Sequence, residues 1–126
     1  MREPALLLIG HGSSNPDWRK PLDRVHDHVR ELAPDRQTRL CFLDHTEPDF
    51  ETAVAELVAA GVRRIRVVAV LLSSTGKHFR SDIPELVAAA RIRHEGLTIH
   101  TDPEAVGTHD AVIRAMAASA VAGLDQ

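Results

Sequence analysis

The most constraining feature of the sequence is an alternation of short apolar runs and segments of helical periodicity, repeated four times. Residues 5–10 form a continuous apolar run ending in glycine, as expected of a strand buried on both faces. Further strands are predicted at residues 38–44, 65–72 and 97–101. Alternating strands and helices predict parallel strands joined by right-handed crossovers. We therefore expect an α/β fold, with residues 1–126 forming a single domain in which a four-stranded parallel sheet has helices on both faces.

Each predicted strand is followed by apolar side chains at three- and four-residue spacing, which is typical of a helix with one buried face. Pro34 ends the first helix and Gly61 the second. At the third helix, Ser81 or Asp82 is predicted to cap the first turn. The apolar positions that define the helices are Trp18, Leu22, Val25, Val29 and Leu32; Phe50, Ala53, Val54, Leu57 and Val58; Ile83, Leu86, Val87 and Ala90; and Ile113, Met116, Ala117 and Ala120.

Composition excludes several classes of function. The net charge is -3, no basic tract occurs and aromatics make up 3% of the chain, so nucleic acid is a poor candidate partner. Cys41 is the only cysteine, which excludes an intrachain disulfide and a multi-thiolate zinc site and favours a buried thiol. No apolar run is long enough for a membrane span, and the first residues do not resemble a signal peptide. We expect a cytoplasmic protein without membrane contact.

In open parallel sheets, ligands bind beyond the carboxyl ends of the strands, so the loops after the strands are the places to search. Each of these four loops contains one histidine: His11 in residues 11–17, His45 in 45–49, His78 in 73–81 and His109 in 102–110. The remaining histidines lie inside predicted helices or strands and are expected to be solvated or hydrogen-bonded: His26, His28, His94 and His100.

His11 and His78 have the strongest local case for chemistry. His11 lies between two glycines directly after the first strand, and His78 follows a small polar loop at residues 73–77. Two imidazoles on neighbouring loops could share one divalent ion, because imidazole suits iron, cobalt, nickel and zinc. Glu47 could add a carboxylate or be an ordinary residue before a helix. His45 could support the site or lie at the surface, and His109 favours a structural role.

Three common motifs are absent. The nucleophile elbow G-x-S-x-G does not fit residues 10–14, because Gly12 stands at the position of the serine. The phosphate-binding loop fails because Gly76 and Lys77 are followed by His78 rather than serine or threonine. The dinucleotide motif fails at Asn15, where a third glycine is required.

The motifs that remain resemble a known family. Residues 6–13, LLLIGHGS, resemble the opening motif of the class II tetrapyrrole chelatases, and residues 76–84, GKHFRSDIP, resemble their second histidine motif. Residues 42–48, FLDHTEP, are similar to the family's second-strand segment, and residues 107–109, GTH, to its last turn. The length resembles that of the short form, the sirohydrochlorin cobaltochelatase and ferrochelatase type of cobalamin and siroheme biosynthesis.

The resemblance implies a chelatase-like, flavodoxin-like three-layer sandwich and a homodimer. It implies insertion of a divalent metal, cobalt or iron with nickel possible, into sirohydrochlorin or a related tetrapyrrole, without an organic cofactor. His11 and His78 match the family's metal ligands. One of the two also acts as proton acceptor, because a free-base ring releases two N–H protons as the metal enters. We assign this role to His11. Expected substrate contacts are Glu47, Ser73, Ser74, Thr75, Gly76 and Lys77.

Two alternatives use the same residues differently. A non-catalytic carrier of metal or tetrapyrrole would keep the histidines but show no turnover. A flavodoxin-like anion-binding domain would use its glycine- and serine-rich loops to hold phosphate and would need neither histidine.

Overall fold

The computed structural model describes residues 2–125. Four strands form one all-parallel sheet in the order β2-β1-β3-β4: β1 at Arg2–Gly10, β2 at Arg36–Phe42, β3 at Arg64–Ala69 and β4 at Thr98–Thr101. The four helices are α1 at Lys20–Leu32, α2 at Phe50–Ala59, α3 at Ile83–Arg93 and α4 at Asp110–Val121. The single α/β domain with a four-stranded parallel sheet is as the sequence predicts.

The main core lies on one face of the sheet, beneath α2 and α3. Alternate residues of the central strand β1 point into it, and Ala5, Leu7 and Ile9 have no exposed surface. Phe50 and Leu57 of α2 are buried in the same cluster. The apolar side chains at every second residue of the strand therefore pack against those at every third or fourth residue of the helix.

The opposite face of the sheet is only half covered. There α1 packs through Leu22 onto a smaller cluster that contains Leu8, Leu40 and Phe42. The last helix, α4, buries none of its side chains and makes its principal contacts with the 3-10 turn Val106–Thr108 that precedes it. The apolar spacing predicts α4 correctly, but most of its apolar side chains remain exposed among residues 2–125.

The sequence-based prediction and the structure differ at the ends of the strands. The apolar run at 65–72 predicts a longer strand than β3, which ends at Ala69. Val70 still donates its N–H to the Ile9 carbonyl at 2.8 Å, so the chain leaves the sheet just past that bond. Among the described helices, none has the length and apolar composition needed to cross a membrane.

Candidate metal centre

His11 and His78 meet at the carboxyl edge of the sheet. The two ring centroids are 4.2 Å apart and the rings are almost perpendicular, at 89°. His11 directly follows β1 and is exposed, while His78 follows the loop after β3 and is half-buried. The strand order places β1 beside β3, so their following loops are neighbours, as the sequence argument requires.

The backbone after His11 requires a glycine. Gly12 has a φ of +98°, and a Cβ added there would lie 1.7 Å from the Asp44 carbonyl oxygen. The close approach lets Asp44 donate its N–H to the His11 carbonyl at 3.0 Å. The glycine therefore allows the loop that carries His11 to lie against the loop after β2.

Thr46 joins the same two loops through its side chain. Its hydroxyl oxygen accepts the Ser13 N–H at 3.0 Å and donates to the Ser13 carbonyl at 2.9 Å. Arg19 adds a further link, because its Nη1 donates to the Glu47 carbonyl at 3.0 Å while its guanidinium lies over the Phe42 ring. The segment that carries Glu47 is therefore held by Ser13, in the loop after β1, and by Arg19, directly before α1.

The Glu47 side chain lies exposed on this anchored segment, and its carboxylate makes no hydrogen bond or ion pair with residues 2–125. His45, two residues earlier, is exposed and has a φ of 56°, in the left-handed region. Neither residue makes a ring or hydrogen-bond contact with the histidine pair among the described residues. The carboxylate of Glu47 is available to a ligand.

His78 begins a π-helix at His78–Asp82 that leads directly into α3. Its Nδ1 lies 2.7 Å from Oδ2 of Asp82, and Lys77 Nζ donates to the other carboxylate oxygen at 2.9 Å. Hydrogen bonds from Lys77 and then from His78 hold the pKa of the Asp82 carboxyl below its ordinary value.

The predicted side-chain cap at Ser81 or Asp82 is wrong. Asp82 occupies the capping position of α3, but its side chain makes no cap hydrogen bond. Proline at position 84 has no N–H for a cap to accept, and Ile83 donates its N–H to the His78 carbonyl within the π-turn. The Asp82 carboxylate is therefore directed to His78 and Lys77 instead.

The loop before His78 is held mostly by its own hydroxyls. Ser73 and Thr75 share a hydrogen bond of 2.7 Å between their side-chain oxygens. Ser74 donates to Oε2 of Glu104 at 2.7 Å and accepts the Ala105 N–H at 2.8 Å. Ser74 therefore ties this loop to the segment after β4, and its hydroxyl is already engaged.

Gly76 and Lys77 complete the loop. A Cβ added at Gly76 would meet no atom within 4 Å, so the loop is open to solvent at this point. The Lys77 side chain is 80% exposed and points its charge towards Asp82. This segment offers a cation and main-chain groups to an incoming ligand next to His78.

The loop after β4 closes the same edge of the sheet. Gly107 donates its N–H to the Leu71 carbonyl at 2.9 Å, and a Cβ there would lie 2.5 Å from Leu72 Cα. His109 is exposed just before α4, where its side chain makes no cap hydrogen bond. Its carbonyl accepts the N–H groups of Val112 and Ile113, which agrees with a structural place at the helix start.

The histidines outside the strand-end loops behave differently. His26 is buried, with Nε2 2.9 Å from the Thr38 hydroxyl and Nδ1 3.2 Å from an Arg30 nitrogen. Burial away from water, and then the charge of Arg30, lower the pKa of His26. His28 is exposed beside Glu31. The buried thiol predicted for Cys41 is confirmed, and burial raises its pKa.

The two imidazoles form a pair within residues 2–125 and are not part of a larger cluster of side chains that could bind a metal. Within residues 2–125, no group of three or more histidine, cysteine, aspartate or glutamate side chains is arranged to hold a metal ion. Two nitrogen ligands leave most positions of a divalent ion open to other donors.

Sequence reasoning missed two residues of this site, Thr46 and Asp82. Asp82 stands four residues after His78, a spacing that brings side chains together on a helix. That signal was available, but the residue was assigned to helix capping. No sequence signal pointed to Thr46, because its partner is the main chain of a loop 33 residues away.

Comparison with known proteins adds a second line of observation. The family model CbiX matches residues 5–122. A sirohydrochlorin cobaltochelatase of Methanosarcina acetivorans is 34% identical over 83 residues, which cover 66% of this chain and 63% of the relative. The chain therefore matches less than two thirds of that relative's length.

Two solved structures resemble the fold. A CbiX protein from Marinobacter aquaeolei VT8, described as a putative cobalamin biosynthesis protein, superposes with a TM-score of 0.83 at 23% identity, covering 98% of this chain and 97% of that one. The sirohydrochlorin chelatase SirB from Bacillus subtilis subspecies spizizenii, in complex with cobalt, gives a TM-score of 0.71 at 30% identity. The latter match covers 77% of this chain and 41% of SirB.

Proposed function

The chain belongs to the CbiX family, and from that premise we propose that it inserts a divalent metal, cobalt or iron, into sirohydrochlorin or a related tetrapyrrole. The observation that carries the proposal is the contact between His11 and His78, whose ring centroids lie 4.2 Å apart at the ligand-binding edge of the sheet. A relative named sirohydrochlorin cobaltochelatase and a cobalt-bound SirB structure support the choice of metal and ring.

In this proposal His11 and His78 hold the metal ion that is to be inserted. A neutral imidazole offers one lone pair, so two rings at van der Waals separation can direct two nitrogen ligands to one ion. The ion keeps open positions, which the nitrogens of the tetrapyrrole can occupy as the protein ligands are exchanged. Cobalt, iron and nickel all accept imidazole, so ring nitrogens alone do not select among them.

Insertion releases protons, and the protein must accept them. A free-base ring loses two N–H protons as one divalent ion enters, so two protons pass to bases or water. We assign one of these two protons to His11, whose lone pair becomes free once the ion has passed to the tetrapyrrole, and the other to water. The His11 ring is exposed and makes no hydrogen bond or ion pair within the part of the chain described here. His78 already uses one nitrogen in its contact with Asp82.

Substrate contacts are proposed from the loops that border the histidine pair. Lys77 presents an exposed cation that can meet the carboxylates of a sirohydrochlorin-type ring. Glu47 presents an exposed carboxylate on an anchored segment and can meet the ion or the pyrrole N–H groups. The remaining proposed contacts come from the loop before His78: Ser73, Ser74, Thr75 and Gly76. Ser74 would contribute main-chain groups, because its hydroxyl donates to Glu104.

We also propose that the protein acts as a homodimer formed through α4. Four apolar side chains on and after this helix keep about half or more of their surface exposed: Ile113, Met116, Val121 and Leu124. On the face of the sheet that α1 only half covers, the apolar side chains of Val68 and Val70 remain partly exposed. A helix without a sheet and a sheet face without a helix complement each other when two copies exchange α4.

The direct test is an anaerobic insertion assay. Purified protein is mixed with sirohydrochlorin and with Co²⁺, Fe²⁺ or Ni²⁺, and the absorption spectrum is followed against a control without protein. We expect insertion well above background, and its loss in His11→Ala and His78→Ala with unchanged melting temperatures. His28→Ala serves as the matched control, because His28 is an exposed histidine on α1 beside Glu31.

The alternatives give different outcomes in the same experiment. Binding of metal or ring with no turnover would indicate a carrier rather than a chelatase. Stabilisation by inorganic phosphate, with none by cobalt, would indicate an anion-binding domain. Either result would overturn the proposed function.

A further inference from the structure

We propose that Asp82 is a positioning residue that fixes the tautomer of His78, so that Nε2 presents its lone pair to the metal ion. The inference rests on the proposed function, since it assigns the means by which one of the two metal ligands is oriented. Asp82 lies within the segment that resembles the family's second histidine motif, but neither the family description nor the names of the relatives assign it a role.

The contact itself sets the tautomer. Nδ1 of His78 lies 2.7 Å from Oδ2 of Asp82, with both side chains about three quarters buried. An ionised carboxylate can only accept hydrogen bonds, so the proton of a neutral His78 ring must reside on Nδ1. Nε2 is then the unprotonated nitrogen, and it is the one able to bind a cation.

The local backbone explains why Asp82 is available for this role. An aspartate at the start of a helix ordinarily caps N–H groups of the first turn. Here Ile83 donates its N–H to the His78 carbonyl in the π-turn, and the next residue is Pro84, which has no N–H. The carboxylate therefore has little to gain from capping, and the π-turn keeps it alongside His78. Such turns occur frequently at functional sites.

Lys77 holds the carboxylate from the other side. Its Nζ donates to Oδ1 of Asp82 at 2.9 Å, so the two oxygens are divided between the lysine and the histidine. A carboxylate held at both oxygens cannot rotate away from the ring without breaking an ion pair. Asp82 thus links the proposed metal ligand to the cation proposed to meet the tetrapyrrole.

The expected size of the effect follows from other metal sites. Carboxylates that accept the second N–H of a metal-bound histidine typically contribute 10- to 100-fold, in order of magnitude, to metal affinity or activity. We therefore expect Asp82→Asn and Asp82→Ala to weaken Co²⁺ binding by about that factor while leaving the fold intact. The matched control is Asp35→Asn, which removes one carboxylate charge from the exposed pair with Arg2 at the other end of the sheet.

Two measurements test the inference. Titration calorimetry with Co²⁺ alone gives the affinity, and ¹⁵N-edited NMR of the metal-free protein gives the tautomer of each ring, with His78 identified by the signals missing from His78→Gln. We expect the wild-type His78 ring to carry its proton on Nδ1. In both Asp82 variants we expect the population to move towards the Nε2-protonated form.

The outcomes separate the inference from the proposed function. An unchanged tautomer in both Asp82 variants would overturn the inference, even if cobalt affinity fell, because the carboxylate would then act by charge alone. Wild-type protein that does not bind Co²⁺ would refute the proposed function, while the NMR result would still decide the role of Asp82. A shifted tautomer together with 10- to 100-fold weaker binding, absent in Asp35→Asn, supports the inference.

Discussion

Gly12→Ala tests whether close contact between two loops is what positions His11. The added Cβ would lie 1.7 Å from the Asp44 carbonyl oxygen, and real Cβ contacts do not fall below 3.0 Å. The loops must therefore separate by roughly 1.3 Å or the backbone must rotate. At a φ of +98° any residue with a Cβ is also strained.

The expected loss of stability in Gly12→Ala has two parts. A left-handed conformation costs about 1–2 kcal/mol for a residue other than glycine. Weakening the hydrogen bond from Asp44 to His11 adds about 1 kcal/mol. We expect the free energy of unfolding to fall by about 2–3 kcal/mol. A displacement on the order of 1 Å at a reacting group can lower the rate about 100-fold, so cobalt insertion should fall far more than stability alone explains.

The assay combines urea unfolding with the initial rate of cobalt insertion at a temperature where the variant is fully folded. Gly96→Ala is the matched control, because Gly96 also has a positive φ, 83°, but a Cβ added there comes no closer than 3.8 Å to another atom. It should lower the free energy of unfolding by about 1–2 kcal/mol and leave the insertion rate unchanged. A Gly12→Ala protein with wild-type stability and a wild-type rate would refute the argument that this contact positions His11.

The remaining predictions concern pH, helix capping and assembly. The lowered pKa of His26 means that the unfolded chain binds the proton more readily, so the melting temperature should fall as pH drops below about 6.5, and His26→Gln should flatten that dependence; an equally steep dependence would contradict the assignment. Asp49 accepts the Thr52 N–H at the start of α2, so Asp49→Ala should lower the free energy of unfolding by about 1 kcal/mol in urea, and a loss near zero would contradict the cap. Met116→Asp should convert a dimer to monomers in light scattering, whereas a wild type that is already monomeric would refute the proposed exchange of α4.

Most of the fold could be predicted, because the apolar runs, the helical spacing and the alternation of strands with helices all indicate the same α/β architecture. The apolar run at residues 5–10 predicts a strand, and β1 is a central strand of the sheet in which residues 7–10 are all buried. The end of β3 was harder to predict, because Leu71 and Leu72 remain apolar although the chain has left the sheet. Apolar pattern alone does not report where hydrogen bonding between strands stops.

The candidate site was predictable where it depends on topology and not where it depends on side-chain geometry. The alternation of strands and helices predicts that the loops of His11 and His78 lie at the same edge of the sheet, and the observed strand order then makes these loops neighbours. The roles of Thr46 and Asp82 depend on particular side-chain hydrogen bonds, two for each residue, and the sequence equally allowed Asp82 to cap α3. The exposed course of α4 also could not be predicted, because its apolar spacing is the same whether the partner is its own sheet or another copy.

The central claim is that His11 and His78 share one metal ion, and Co²⁺ affinities of a double-mutant cycle test it most directly. For a shared ion, His11→Ala and His78→Ala should each weaken binding by more than about tenfold, or 1.4 kcal/mol. The Co²⁺ affinity of the double variant should then be only slightly below that of the weaker-binding single variant, because the loss of either histidine already breaks the two-ligand coordination of the ion. Wild-type affinity in one single variant, or losses that simply add in the double variant, would contradict the account.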